Sequence, residues 1–168
     1  MTESLADFFV ELFRDKIPNE LIIFVISMIP ILELRGGMIA ASLLKVDLLP
    51  AFFICYIGNI VPIPFILLFI RKIFQFLRDK KGFSKIIEKL EVRSMRKSEQ
   101  VQRWRDWGLL IFVAVPLPGT GGWTGALIAA LMDMRIKKSF PIIAAGVLIA
   151  GVIMAVLTYG IPTLLGLK

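Results

Sequence analysis

The chain contains no histidine and a single cysteine, Cys55. Histidine is the commonest metal ligand and general base, so its absence removes the usual starting point for both chemistries. One cysteine inside an apolar run supplies neither a disulfide framework nor a thiolate metal site. Nucleophile and base pairs of the kind that mark an enzyme are also missing, so neither catalysis nor a cofactor is expected. The opening residues carry Glu3, Asp7 and Glu11, and no small-residue cleavage site follows a short apolar core, so a removable signal peptide is not expected.

What the chain has instead is hydrophobicity. Of its 168 residues 57% are hydrophobic, and the mean hydropathy is +0.80, more than a water-soluble domain of this size can hide in one core. The surplus has to face lipid. Four stretches are apolar enough to enter a bilayer: Leu21 to Leu44, Leu48 to Ile70, Gly108 to Met132, and Phe140 to Gly160. The charge is local as well. Between Arg71 and Trp107 lie twelve basic and five acidic residues, a surplus equal to the +7 of the whole chain. Placed between membrane segments, such a run reads as a cytoplasmic loop under the positive-inside rule, and no nucleic-acid partner is expected.

Two of the four stretches are interrupted halfway. The first reads Ile29-Pro30-Ile31-Leu32-Glu33-Leu34-Arg35-Gly36-Gly37 and the second Val115-Pro116-Leu117-Pro118-Gly119-Thr120-Gly121-Gly122-Trp123. Proline and clustered glycine stop a helix at both places. Leu21 to Ile29 and Trp107 to Val115 each cover roughly half of a ~30 Å hydrocarbon core, at about 1.5 Å per residue. Each break therefore falls near the bilayer midplane, where non-helical backbone is tolerated only inside protein or beside a water-filled cavity. The order repeats: a broken segment, a short charged loop (45–47, then 133–138), and an apolar stretch headed by Pro50 or Pro141. Pro30 and Gly36 align with Pro116 and Gly122 at one offset, while Ala40 and Ala41 align with Ala129 and Ala130 at another. Short Pro/Gly-interrupted segments at matching places in two halves point to a transporter binding site.

Charge then argues topology. If the broken segments crossed the membrane, the loops 71–107 and 133–138 would lie on opposite sides and one basic loop would be external. If both are re-entrant hairpins, both basic loops are cytoplasmic and the acidic N-terminal segment is outside. The expected fold is thus all-α and integral to the membrane, with two inverted halves, each a re-entrant hairpin plus one transmembrane helix. Its parts are an interfacial helix at 1–20, hairpins at 21–44 and 108–132, transmembrane helices at 48–70 and 139–160, and a cytoplasmic linker at 71–107. Within the linker, Ile73, Phe76, Leu77, Phe83, Ile87 and Leu90 fit one face of an amphipathic helix resting on anionic headgroups.

Glu33 and Arg35 are the most informative residues, because a charge at the centre of a membrane helix costs about 2.5–3.5 kcal/mol on insertion scales. One reading makes Glu33 a proton-titrating site and Arg35 an anion anchor with a bidentate fork. The other makes them a structural ion pair. Gly36 and Gly37 flank them, and Pro116, Pro118, Gly119, Thr120, Gly121 and Gly122 form the second tip. Half-helices starting near Gly37 and Trp123 would aim their N-terminal amides at the midplane, which suits a phosphate. Asn59 reads as an interhelical hydrogen-bonding residue, and Trp104 and Trp107 as interfacial aromatics.

At Pro30 to Gly37 (PILELRGG) and Pro116 to Trp123 (PLPGTGGW) the chain resembles the small multidrug export proteins, distant relatives of the DedA and VTT-domain membrane proteins. The resemblance covers Leu21 to Gly160. It implies two opposed re-entrant hairpins and, for the wider DedA group, proton-dependent transport that includes flipping of undecaprenyl phosphate. The second tip lacks the arginines that DedA proteins carry in their second half. The expected function is ion-coupled movement of an amphipathic substrate such as a lipid-linked phosphate across an inner membrane. Proton-coupled efflux of cationic drugs and a non-transporting scaffold are the alternatives. Membrane lipids and a second copy of the chain, forming a homodimer, are the expected partners.

Overall fold

The computed structural model of the chain describes residues 17–78 and 99–164, and among them all regular structure is helical. The interfacial helix expected at 1–20 lies almost wholly outside the described residues, as does 79–98 of the expected linker. The first broken segment forms α1 (Asn19–Met28) and α2 (Glu33–Leu43), followed by α3 (Leu48–Ile60) and α4 (Pro62–Arg78). The second forms α5 (Glu99–Ala114) and α6 (Gly122–Leu131), followed by α7 (Ile136–Ala155), a π-helical turn (Val156–Gly160) and α8 (Ile161–Leu164).

Proline position decides which interruptions matter. Ile29 precedes Pro30 and is extended at φ −75, ψ 130, so α1 stops there. Pro62, in contrast, opens α4, where its missing N–H costs no helical bond, and Val61 before it stays helical. The α3 and α4 stretch is therefore one apolar span, Leu48–Ile70, of 23 residues. Helix α4 does not end there, as the linker boundary at 71 had it. Neither proline nor glycine occurs from Phe65 to Arg78, and the helix runs on into the basic segment. For the same reason α7 begins at Ile136 rather than 139, and α5 starts at Glu99, within the expected linker.

Both broken segments fold back on themselves. Asn19 Nδ2 donates to the Leu44 carbonyl at 3.4 Å, joining the start of α1 to the end of α2. Arg105 Nη1 donates to the Met132 carbonyl at 3.1 Å, joining α5 to the end of α6. The two open ends lie at opposite ends of α7. Tyr159 Oη donates to the Val46 carbonyl at 2.9 Å beside the first, and Lys138 Nζ pairs with Asp106 Oδ2 at 2.6 Å beside the second.

Several contacts recur at matching positions in the two halves. The bonds Asn19 to Leu44 and Arg105 to Met132 relate at an offset of 86 for the donors and 88 for the acceptors. A Cβ on Gly37 would meet Ser27, Cys55 and Ile23, and one on Gly125 would meet Val113, Ile143 and Leu109, again 86 before the tip and 88 after it. Gly58 against the Phe24 carbonyl repeats as Gly146 against the Leu110 carbonyl. Each hairpin also ends on a left-handed residue, Lys45 at φ 55 and Asp133 at φ 51, followed by a bond from the Val46 or Met134 amide to the Ala41 or Ala129 carbonyl, both 2.9 Å. The second break is thus two residues longer than the first. The single offset that aligns Pro30 with Pro116 therefore does not extend to Gly36 and Gly122, nor does the separate offset of 89 that pairs Ala40 and Ala41 with Ala129 and Ala130 hold.

Only 28% of the most apolar window of Leu48–Ile70 and 33% of that of Ile136–Gly160 is buried, unlike the core helix of a soluble domain. Leu148, Ile149, Val152, Val156 and Leu157 line one exposed face of the second span, and Phe53, Ile57, Phe65 and Phe69 one of the first. That apolar surface matches a lipid environment.

Candidate functional site

The two tips meet. Glu33 opens α2 with φ 51, a left-handed conformation uncommon for a residue with a Cβ, and its side chain is only 5% exposed. This places its carboxylate across the first turn of α6. Oε2 accepts the Gly122 amide at 3.2 Å and Oε1 accepts the Trp123 amide at 3.1 Å. A carboxylate on free amides at a helix N-terminus is favoured by hydrogen bonding and by the helix dipole together. No side chain of α6's own segment caps it; Glu33 does so from about ninety residues away.

Arg35 makes the complementary set. One guanidinium nitrogen donates to the Leu117 carbonyl and the other to the Thr120 carbonyl, with Thr120 Oγ1 at 3.1 Å. The second break is thereby held through its backbone carbonyls. Thr120 shapes that backbone from within. Its hydroxyl lies 2.7 Å from the Val115 carbonyl and 2.8 Å from that of Leu117, one of which takes its proton, and it accepts the Leu117 amide at 3.2 Å. Gly121 sits between the two charged groups: at φ 132, a Cβ there would collide with Glu33 Oε2 and approach Arg35 Nη2 at 3.0 Å.

Of the residues expected to form the site, Glu33, Arg35, Thr120, Gly121 and Gly122 come together at this junction. Gly36 packs against Leu32, the residue that precedes its helix, and Gly37 packs against α1 and α3, where a Cβ would overlap Ser27 Oγ. Pro116 is half-buried, while Pro118 and Gly119 are exposed on the outside of the second loop. The second half-helix starts at Gly122, beside Trp123, but the expected start of the first needs correction. Helix α2 begins at Glu33, four residues before Gly37, because the left-handed Glu33 starts the helix as soon as the Pro30 turn is complete. The amides of α6 are not left open for a phosphate; Glu33 occupies them.

Two buried polar groups join the site that the sequence reading valued less. Asn59 is 1% exposed. It lies beside Glu33 and against Gly122, whose Cβ would fall 2.5 Å from its Oδ1. Neither of its amide atoms has a hydrogen bond of good geometry, and the indole N–H of Trp123 is also buried without a partner. Burying such groups unpaired costs roughly 1–3 kcal/mol each, a cost that another polar group at the junction would relieve. A sequence signal for Asn59 existed: it is a lone amide in an apolar span. No group of three or more metal-ligating side chains occurs among the described residues.

A family model described as "Putative small multi-drug export protein" matches residues 33–153, from Glu33 through both tips nearly to the end of α7. No curated protein and no solved structure matches the chain.

Proposed function

The chain belongs to the small multi-drug export protein family, a membership that suggests a membrane transporter, and from that premise we propose that it is a secondary transporter working at the Glu33 and Arg35 junction. The observation that carries this reading is the hold of Glu33 on the amides of Gly122 and Trp123. A carboxylate in a membrane span is costly unless used, and this one joins two elements whose separation would open a path between them. Protonating Glu33 removes its charge and turns one acceptor oxygen into a donor, which weakens its grip on two N–H groups. Arg35 and the freed α6 amides then face the same space, a combination suited to an anionic headgroup.

In this reading the two folded-back segments are re-entrant hairpins that enter from opposite faces, and α3 with α4 and α7 are the crossings. Three features support it: open hairpin ends at opposite ends of α7, tips that meet between them, and arms of ten to sixteen residues, too short or too polar to span alone. Both termini are outside and the basic segment is cytoplasmic. With Cys55 replaced, a cysteine near position 85 should resist an impermeant reagent in intact cells; labelling there overturns the topology.

The substrate class is amphipathic, with a lipid-linked phosphate such as undecaprenyl phosphate favoured by the cationic and amide groups at the junction. The test uses vesicles containing the purified chain and a fluorescent phosphate-headed lipid, with outer-leaflet quenching under an imposed pH gradient. Probe movement that Glu33→Gln abolishes at equal protein content is expected. Movement of ethidium in place of the lipid would favour cation efflux. If neither probe moves and Glu33→Gln leaves the cellular phenotype intact, the chain is a scaffold.

A further inference from the structure

At the open end of the second hairpin, α5 and the start of α7 enclose a groove of about 730 Å³. Its floor is apolar: Trp107 and Leu110 of α5, and Pro141, Ile142 and Ala145 of α7. Its rim is charged, carrying Arg135, Lys137, Lys138 and Asp106. Asp106 already neutralises Lys138, whereas Arg135 and Lys137 are exposed and have no ion pair among the described residues. The order along α7 is therefore cationic first and apolar after, with Ala145 about 12 Å of helix rise beyond Lys137. No side chain caps the first turn of α7, so its free amides add to the positive potential.

We propose that this groove binds one anionic phospholipid, its phosphate on Arg135 and Lys137 and an acyl chain along Leu110, Pro141, Ile142 and Ala145. Basic residues between membrane helices are suited to acidic headgroups, and the groove offers apolar length in line with them. The fold does not require these cations. At the equivalent positions of the first half, 88 residues earlier, Asp47, Leu49 and Pro50 stand in place of Arg135, Lys137 and Lys138. The chain's own segment 79–98 is a poor occupant, because its seven basic and three acidic residues match the sign of the rim. This site is separate from the junction of Glu33 and Arg35 and does not depend on the transport reading.

The test is native mass spectrometry and thermal stability of the full-length chain in neutral detergent, titrated with phosphatidylglycerol, phosphatidylcholine or inorganic phosphate. Phosphatidylglycerol should bind at one site and raise Tm where phosphatidylcholine at equal concentration does not. The double substitution Arg135→Gln, Lys137→Gln should weaken its binding roughly twenty-fivefold, about fivefold per charge. Ile142→Trp, which keeps every charge and fills the floor, should also abolish single-site binding while leaving Tm in phosphatidylcholine unchanged. That variant separates a groove from a diffuse positive surface. Equal binding of the two lipids, equal stabilisation by inorganic phosphate alone, or unchanged phosphatidylglycerol binding by Ile142→Trp would each overturn the proposal.

Discussion

The two tips occupy equivalent places in the two halves yet carry opposite chemistry. At the offset of 88 that relates α2 to α6, Glu33 corresponds to Gly121 and Arg35 to Trp123. The first tip supplies charged side chains; the second supplies backbone amides and carbonyls for them to hold. Proximity explains the division. Glu33 and Gly121 lie where the halves meet, so close that a Cβ on Gly121 would strike the Glu33 carboxylate. Two equivalent positions so close together cannot both carry a side chain. Tyr56 shows the same relation more gently, donating at 3.3 Å to the carbonyl of Ala144, its own counterpart. A repeat can thus stay symmetric in its packing while its meeting point becomes asymmetric.

The strongest way to break this comparison is to place a side chain at both positions. Gly121→Glu should leave no folded protein in detergent, since it adds steric overlap and a second buried carboxylate, a combination above roughly 4–5 kcal/mol. Joined to Glu33→Gly it should recover folded protein in part, the transplanted carboxylate now facing the first turn of α2. Size-exclusion profiles of the two variants decide it. A double variant no better than the single would mean that the halves are not equivalent at this point.

Next in size is Glu33→Leu, which strips the cap from α6 and leaves Arg35 without its opposing charge at a cost of about 3–5 kcal/mol. Adding Arg35→Leu should restore part of the loss in thermal unfolding. If the double variant proves stable and also fully functional in cells, the junction is structural only.

Smaller and sharper is the contrast between two glycines of the second loop. Gly121→Ala combines a positive φ with overlap onto Glu33 and should cost about 2–4 kcal/mol, whereas Gly119→Ala, at φ 85 with open space around it, should cost about 1–2 kcal/mol. Equal Tm losses would argue that backbone strain alone matters at position 121. The smallest effect is expected of Thr120→Val, which keeps shape but removes the hydroxyl that links the Val115 and Leu117 carbonyls to Arg35, at about 1 kcal/mol. A loss of that size seen in wild type and absent in an Arg35→Leu background would place Thr120 in the same network.

Composition and local pattern carried the sequence a long way. Runs of apolar residues report lipid exposure directly, so both long spans were legible, and proline located both breaks because backbone sterics act within a few residues, whereas Gly36 and Gly37 lie inside α2. Glu33 and Arg35 stood out for the same reason: charge in an apolar run is visible without a fold. What their side chains hold was not visible, because hydrogen bonds between positions about ninety residues apart depend on how the hairpins pack. Asn59 and the Trp123 indole gained meaning only beside that junction. Helix ends such as Arg78 and Ile136 were misplaced because charge marks where a chain leaves the apolar region, not where its backbone bonds stop. The sequence by itself thus determined the lipid-facing character, the positions of the breaks and the presence of a charged pair at the first. Only the tertiary structure decided the two-residue change of register, the partners of that pair and why position 121 must be glycine, since each depends on which surfaces come into contact.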